Sequence, residues 1–374
     1  MRTVWQGFIA VLVLGGLSFT VLSLARPNDN GEFGFTLRRI SNAQSIVVTV
    51  EPGGAAADAG IRKGDRIFPA RDPAQRISVT TPEPGDRIVV RVNDPNSAPV
   101  VVIARASTQN VPAAAIAALV LTHLAFLFMG GLIAFRRPDD PAARSLATFL
   151  ACFGVAMTLS TDLAQFSSTL GRFAAYLFVE AMFFVGAIAV LSFACRFPER
   201  AAGGWRLVIA RSVVPLGVAG VLLSMTRLVL YYFTDFPWEH RSLLLLPYVL
   251  LYNFVLALAF ASFIGAYRAM DGFDRIRMRW VLGTFGFGFS GLVVYFVMVS
   301  TGLNNPALDV VTFTIACIPI GLAYVILRHR IIDIGFVINR AVVYASVSLI
   351  VVGTFIVFEW LLAHVVEQRS NASA

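Results

Sequence analysis

The sequence predicts a polytopic α-helical membrane protein with one small, mostly β domain outside the membrane. Two observations lead to this fold class. Of the 374 residues, 57% are apolar and only 14% are charged, with a mean hydropathy of +0.75, which excludes both a disordered chain and an ordinary soluble enzyme. The apolar residues are also grouped into long runs, whereas residues 27–107 alternate charged residues with Val and Ile. Most of the chain is therefore assigned to the bilayer, and residues 27–107 to a water-soluble fold.

The first apolar run, residues 4–25, has about the length that a helix needs to cross the hydrocarbon of a bilayer. Two interpretations of it remain open, because Ser23, Leu24 and Ala25 also form an acceptable signal-peptidase site. A signal sequence has an apolar region of only about 7–15 residues. The longer run favours an uncleaved anchor over residues 1–26.

Eight further apolar runs follow the β domain. Their approximate bounds are 111–135, 145–163, 173–197, 207–230, 243–267, 280–301, 307–327 and 341–363. With the first run they give about nine spans, with an eight-helix bundle over residues 108–364 and a terminal tail over 365–374.

Arginine is concentrated in the loops after the second, fourth, sixth and eighth spans, and such residues mark the cytoplasmic side. These arginines are Arg136, Arg137, Arg144, Arg196, Arg200, Arg206, Arg211, Arg268, Arg275, Arg277, Arg279, Arg328, Arg330 and Arg340. The intervening connections contribute only Arg172, Arg227, Arg241 and Arg369. This pattern places the amino terminus inside and the β domain outside the membrane. It also accounts for the net charge of +8 without a nucleic-acid partner.

The β domain has a recognisable order of elements. Strands are predicted over 33–40, 45–50, 66–68, 87–92 and 100–105. The segment 50–68, VEPGGAAADAGIRKGDRIF, joins two of them through a Pro-Gly-Gly turn, a short Ala-rich helix stopped by Gly60, and a Lys-Gly-Asp turn. This segment resembles the run that links the third and fourth strands of PDZ domains. The resemblance implies a PDZ-like fold for this domain.

The same resemblance implies a peptide site. In PDZ domains a G-[LF]-G-F loop offers backbone N–H groups to a terminal carboxylate, and the peptide adds as a strand beside it. Glu32 precedes the matching residues Phe33, Gly34 and Phe35, and Thr36 and Leu37 begin the docking edge. The groove's wall helix is not evident, because residues 77–82 are β-branched and end in Pro. Capture of a free peptide and a structural or protein-docking role therefore both remain open.

Two further segments resemble the multi-span sensor regions of bacterial histidine kinases. They are YVILRHRIIDIGFVINRAVVY at 324–344 and RRPDDPAAR at 136–144. The resemblance implies a membrane sensory module that detects an extracytoplasmic peptide, lipid or protein and acts on a cytoplasmic signalling domain or partner. The alternative is a membrane-tethered PDZ adaptor for envelope proteins or a protease. The 374 residues contain neither a phosphoacceptor His in a charged helix nor a Gly-rich ATP lid, so no enzymatic activity is predicted for them.

Polar residues inside predicted spans are costly and mark candidate sites. His123, Glu180 and Asn253 are predicted at overlapping depths, where they would line a ligand pocket; the alternative is that each bonds within the bundle. Gly288, Phe289, Ser290 and Gly291 spell the G-x-S-G of intramembrane proteases, which we interpret as close helix packing.

The partners follow from these assignments. We predict the lipid bilayer, a C-terminal peptide or protein at the β domain, a cytoplasmic signalling domain or partner, and, as one option, a second copy of the chain. The scattered cysteines and histidines predict neither a metal site nor a cofactor.

Overall fold

The structure is a computed structural model that describes part of the chain. The described residues are 2–25, 31–41, 44–69, 84–106, 113–160, 169–197, 204–233, 241–301 and 308–329. The segment 330–344 of the second resemblance, the run 341–363 and the tail 365–374 lie outside these ranges.

Residues 31–106 contain seven strands and one short helix in the described part of the domain. The elements are β1 (Gly31–Glu32), β2 (Phe35–Ser41), β3 (Gln44–Val50), α2 (Ala55–Asp58), β4 (Arg66–Pro69), β5 (Arg87–Val92), β6 (Val100–Ile103) and β7 (Arg105–Ala106). Strands β2 to β6 form an antiparallel sheet in chain order, while β1 pairs with β7. The five predicted strands are thus present. The first begins at Phe35 rather than at residue 33, because Gly34 has a φ of +69° that interrupts extended backbone.

Alternating apolar residues of the sheet form the core of this domain. Val47, Ile67, Ile88 and Val102 are each at most 1% exposed, and Ala56 of α2 packs on the same cluster. This one-in, one-out pattern is what a sheet with a single buried face requires. The domain therefore has a small apolar core of its own.

Asp65 and Asn93 fix the turn that leads into β4. The Asp65 carboxylate accepts hydrogen bonds from the Arg62 N–H at 2.8 Å and from the Asn93 amide at 2.9 Å. The Asn93 side-chain oxygen accepts the Arg66 N–H at 2.9 Å, and Asn93 itself has a φ of +63°. Asn tolerates this left-handed conformation better than most residues. The Gly-Asp turn predicted from the sequence therefore fixes the start of β4 against the end of β5.

Replacing Asn93 with Ala is expected to destabilise the β domain by about 1–2 kcal/mol, because two side-chain hydrogen bonds are lost and Ala is strained at positive φ. The measurement is the temperature at which the β domain unfolds in the full chain, detected by the loss of its protection from protease. The control is Asn96→Ala at a nearby exposed position. Equal stability of the two variants would contradict the role given to Asn93.

Eight long helices lie in the described ranges, one at each of the first eight predicted apolar runs. They are α1 (Arg2–Ala25), α3 (Ala113–Arg136), α4 (Pro141–Ser160), α5 (Thr169–Arg196), α6 (Trp205–Phe233), α7 (Arg241–Arg268), α8 (Gly272–Thr301) and α9 (Leu308–His329). By length and composition α1, α3, α5, α6 and α7 could cross a membrane, and α4 and α9 contain shorter apolar segments. Among the described residues the membrane assignment therefore holds for several helices, while the count of nine spans stays a prediction.

Helix α8 begins at Gly272, eight residues before the predicted apolar run. Its first turns are charged, and Arg277 contacts Asp274 one turn earlier, with Nη1 and Oδ1 3.4 Å apart. Hydropathy marks the apolar part of a helix, whereas the helix itself extends through charged turns that pair along its surface.

Helix α1 packs into the bundle against α3 and α4. Gly16 of α1 faces Leu127 and Val155, so that a side chain there would press on both residues. The Trp5 indole N–H donates to the Thr148 hydroxyl at 3.2 Å. The first helix is therefore in direct contact with the other spans.

Phenylalanine dominates the centre of the bundle. Phe149 and Phe153 of α4 contact Phe285 and Phe289 of α8 and Phe126 of α3, with ring centroids 5.3–6.1 Å apart. All five side chains are at most 1% exposed. Because lipid and protein are similarly apolar, such close packing rather than the hydrophobic effect holds the helices together.

The Arg-rich segment 136–144 comprises the last residue of α3, the turn at 137–140 and the first turn of α4. The Asp140 carboxylate caps α4 by accepting the N–H groups of Ala142 at 2.8 Å and Ala143 at 3.2 Å. Arg2 of α1 pairs with Asp139 at 3.1 Å. This turn therefore connects the beginning of α1 with α3 and α4.

Candidate functional site

The loop between β1 and β2 is fixed by backbone hydrogen bonds. The Phe33 carbonyl accepts the Ala56 N–H and the Gly34 carbonyl accepts the Glu51 N–H, both at 2.9 Å. A Cβ on Gly34 would lie 3.1 Å from the Gly54 Cα and 3.3 Å from the Ala55 nitrogen. Gly34 is thus required both by its φ of +69° and by the close approach of α2.

Strand β2 presents an edge directly after this loop. The bond from the Glu51 N–H to the Gly34 carbonyl flanks the Phe35–Val50 pair, so these two residues form a non-hydrogen-bonded pair of the ladder. The N–H and carbonyl of Phe35 therefore point away from β3. Since β2 is the terminal strand of the five-stranded sheet in the described residues, these groups face the side where a further strand would add.

The residues predicted for the loop and the edge differ in how far their side chains are buried. The Phe33 side chain is only 7% exposed and packs in the core, where it stacks on Phe35 with centroids 6.1 Å apart. Leu37 and Phe35 are half-buried against the same core, and Thr36 is exposed. Phe33 can therefore serve a ligand only through its backbone, whereas Thr36 has an accessible side chain.

Arg105 supports the loop, a role that was not predicted from the sequence. It lies in β7 opposite Glu32 of β1. Its Nη1 donates to the Gly53 carbonyl at 2.7 Å, and its Nη2 forms an ion pair with Asp58 of α2. Arg105 thereby holds the Gly53–Gly54 turn against which Gly34 packs. Its contacts lie about fifty residues away in the chain, so no local pattern pointed to them.

The wall helix of a PDZ groove would fall at residues 77–82, where the sequence predicts no clear helix, and these residues lie outside the described ranges. The described part of the site therefore consists of the loop with Phe33 and Gly34, the edge strand β2, and the supporting contacts of Arg105.

Glu180 lies in α5 and pairs with α6. Its carboxylate forms an ion pair with Arg227 and accepts a hydrogen bond from the Ser224 hydroxyl. The side chains of Glu180 and Arg227 are 15% and 16% exposed, and the Arg227 guanidinium lies over the Tyr248 ring of α7, 5.4 Å from its centroid. Arg227 was counted among the arginines of the loops between spans. It lies inside α6, where the Glu180 carboxylate compensates its charge.

The other two intramembrane candidates lie elsewhere in the contact network. His123 of α3 is 2% exposed, and its Nε2 has no hydrogen-bond partner among the described residues. Asn253 of α7 is half-buried and donates to the Val249 carbonyl one turn earlier at 2.8 Å. No contact described for His123, Glu180 or Asn253 joins any two of them, so their shared pocket stays a prediction.

The G-x-S-G segment lies where α8 meets α9. A side chain at Gly288 would overlap Ile318 of α9. Ser290 is exposed, and its hydroxyl donates to the Phe287 carbonyl at 2.7 Å. The contact with Ile318 favours the packing interpretation for Gly288.

Comparison with known proteins gives one match. Residues 21–69 match the family model of the PDZ domain, which confirms the resemblance from the sequence. The matched segment includes the Gly34 loop, strands β2, β3 and β4, and helix α2. No curated protein and no solved structure matches the chain.

Proposed function

We propose that the chain, which contains a PDZ domain, is the membrane-embedded input module of a bacterial signalling protein. Its PDZ domain takes the C-terminal tail of a peptide or protein, and the attached helices carry the resulting change to a cytoplasmic signalling domain or partner. The observation that carries this proposal is the edge of β2, whose Phe35 N–H and carbonyl point away from the sheet beside the Gly34 loop.

The geometry supports strand addition. A tail added beside β2 exchanges main-chain hydrogen bonds with Phe35, while its terminal carboxylate lies at the loop that contains Gly34. Main-chain pairing supplies affinity with little dependence on sequence. Side chains near the edge, Thr36 and Leu37 among them, then select among tails.

The sensory part of the proposal rests on two further supports. The first is the presence of a PDZ domain and several membrane-span-like helices in one chain. The second is the resemblance of residues 136–144 and 324–344 to histidine-kinase sensor regions. The arginine distribution supports a cytoplasmic membrane location with the PDZ domain outside.

Binding of C-terminal peptides to the full chain in lipid nanodiscs tests the proposal. Fluorescently labelled peptides with a free carboxylate are compared with the same peptides amidated at the C-terminus. We expect some free-acid peptides to bind and amidation to weaken them at least tenfold, because the loop would lose an anionic partner. Equal binding of both forms, or no binding across a diverse library, contradicts tail capture.

The adaptor alternative makes a different prediction about the helices. If the chain only tethers a PDZ domain, a bound peptide leaves the bundle unchanged. If it is an input module, the peptide alters protease or thiol accessibility in the cytoplasmic loops. Measuring loop accessibility with and without a bound peptide therefore separates the two.

A further inference from the structure

Among the described helices that could span a membrane, α6 is the one that the rest of the bundle covers least, followed by α1. Only 17% of the residues in its apolar span are buried, against 44% to 50% for α3, α5 and α7. Its main described neighbours are α5 and α7. A helix with so few packing partners depends on individual contacts to hold its position.

One end of α6 is held by polar contacts that we call the latch, formed by Glu180, Ser224, Arg227 and Tyr248. Glu180 of α5 pairs with Arg227 and accepts the Ser224 hydroxyl, and Tyr248 of α7 lies under the Arg227 guanidinium. The latch therefore joins α6 to both of its neighbours through one arginine.

The opposite end of α6 is held by the contacts of Arg206 with α5 and α7. We call these contacts the pivot. The guanidinium donates to the Ala194 carbonyl at 3.0 Å, at the C-terminus of α5, and to the Ser262 hydroxyl of α7 at 3.3 Å. Ser262 also donates to the Ala194 carbonyl at 3.1 Å. A cation at a helix C-terminus is favoured by the helix dipole and by the unpaired carbonyls there.

Between these ends α6 is a continuous helix that contains a proline. Pro215 lies inside α6, where it lacks an N–H and weakens the backbone ladder. Gly220 then packs so closely on Phe184 of α5 that a side chain would overlap its ring, while Gly217 leaves ordinary contact distance to Ile188. The segment beyond Pro215 thus touches α5 through Gly220, through the latch, and through apolar contacts of Leu228 and Phe233.

We propose that the half of α6 beyond Pro215 is the moving element of the bundle and that the latch controls it, with the Arg206 pivot remaining in place. The latch has two discrete states. Closed, the two charges neutralise each other inside the bundle; open, each must reach water, and Arg227 lies about 9 Å along the helix from its end at Phe233. The Glu180–Arg227 pair crosses the interface between α5 and α6, so separating these helices breaks it.

This proposal concerns the bundle alone and does not depend on the ligand of the PDZ domain. Its test is a pair of distances in the full chain in nanodiscs, measured by pulsed electron spin resonance after Cys152, Cys195 and Cys317 are replaced by Ala. The latch-end pair is Met225→Cys with Phe178→Cys, and the pivot-end pair is Val208→Cys with Ile264→Cys; all four native side chains are exposed.

Glu180→Gln is expected to shift or broaden the latch-end distance by about 2 Å or more, because Arg227 is left without its counter-charge, while the pivot-end distance stays unchanged. The double variant Glu180→Gln/Arg227→Gln is expected to return the latch-end distance toward the parent value, since no charge is left unpaired. An unchanged latch-end distance in Glu180→Gln, or equal shifts at both ends, overturns the proposal.

A second pair of variants tests the same movement without altering charge. Gly220→Ala is expected to displace the latch end, because the new methyl group overlaps Phe184, whereas Gly217→Ala meets Ile188 at an ordinary 3.6 Å and leaves it in place. If Gly220→Ala moves both ends, or if neither variant moves the latch end, α6 is not hinged as proposed. This pair remains decisive should Glu180→Gln fail to fold.

Discussion

Arg227→Gln is expected to lower the unfolding free energy of the bundle by about 3 kcal/mol, the largest stability effect that we anticipate from one side chain. The substitution leaves Glu180 charged at 15% exposure and removes the cation that lies over Tyr248. Burying an unpaired carboxylate costs more than the ion pair contributed, because its desolvation is no longer offset. Titration of the full chain with sodium dodecyl sulfate in mixed micelles measures the loss.

The matched control is Arg211→Gln, the same substitution on the same helix at an exposed position. It is expected to change stability by less than about 0.5 kcal/mol. Adding Glu180→Gln to Arg227→Gln should recover most of the loss, since a neutral pair carries no uncompensated charge. Equal effects at Arg227 and Arg211 would show that the ion pair contributes nothing.

Gly34→Ala is expected to abolish binding of a C-terminal tail, with a loss of at least a hundredfold. The methyl group would lie 3.1 Å from the Gly54 backbone while the residue is held at a positive φ, so the loop must move away from α2. That movement displaces the Phe35 edge, where the tail pairs. Peptide titration of the full chain in nanodiscs measures the change.

Gly60→Ala separates backbone strain from loop displacement. Gly60 has a similar φ of +78°, but nothing lies within 4 Å of the added methyl group. The Gly60→Ala variant is therefore expected to lose about 1–2 kcal/mol of stability to backbone strain, as Gly34→Ala does, while the binding edge stays in place. Peptide affinity within about threefold of the parent is expected; if both variants lose binding equally, the loss reflects unfolding and not the geometry of the loop.

Local signals predicted the elements well. The turn glycines Gly53, Gly60 and Gly64 all have positive φ where the sequence expected turns and a helix stop. The predicted strands contain the core residues Val47, Ile67 and Ile88, because the alternation that marks a strand depends only on neighbours in the chain. Apolar length located the helices for the same reason.

Partners across the fold were not predictable in this way. Arg105 was not singled out although it braces the loop, because its contacts Gly53 and Asp58 are distant in sequence. Glu180 was identified as costly in a membrane, yet its compensating charge, Arg227, was counted with the loops. Hydropathy averages over a window, and one arginine in an apolar helix is lost in that average.

The sequence alone determined which residues form membrane-span-like helices, which form the small sheet, and that residues 50–68 belong to a PDZ-like domain, since all three follow from short-range periodicity and turn chemistry. Only the tertiary structure decided that β2 is a terminal strand with outward-facing groups at Phe35, and that Glu180 meets Ser224 and Arg227 instead of His123 or Asn253. Edges and charge pairs depend on which elements become neighbours. That choice is made by packing between distant segments, which no local pattern records.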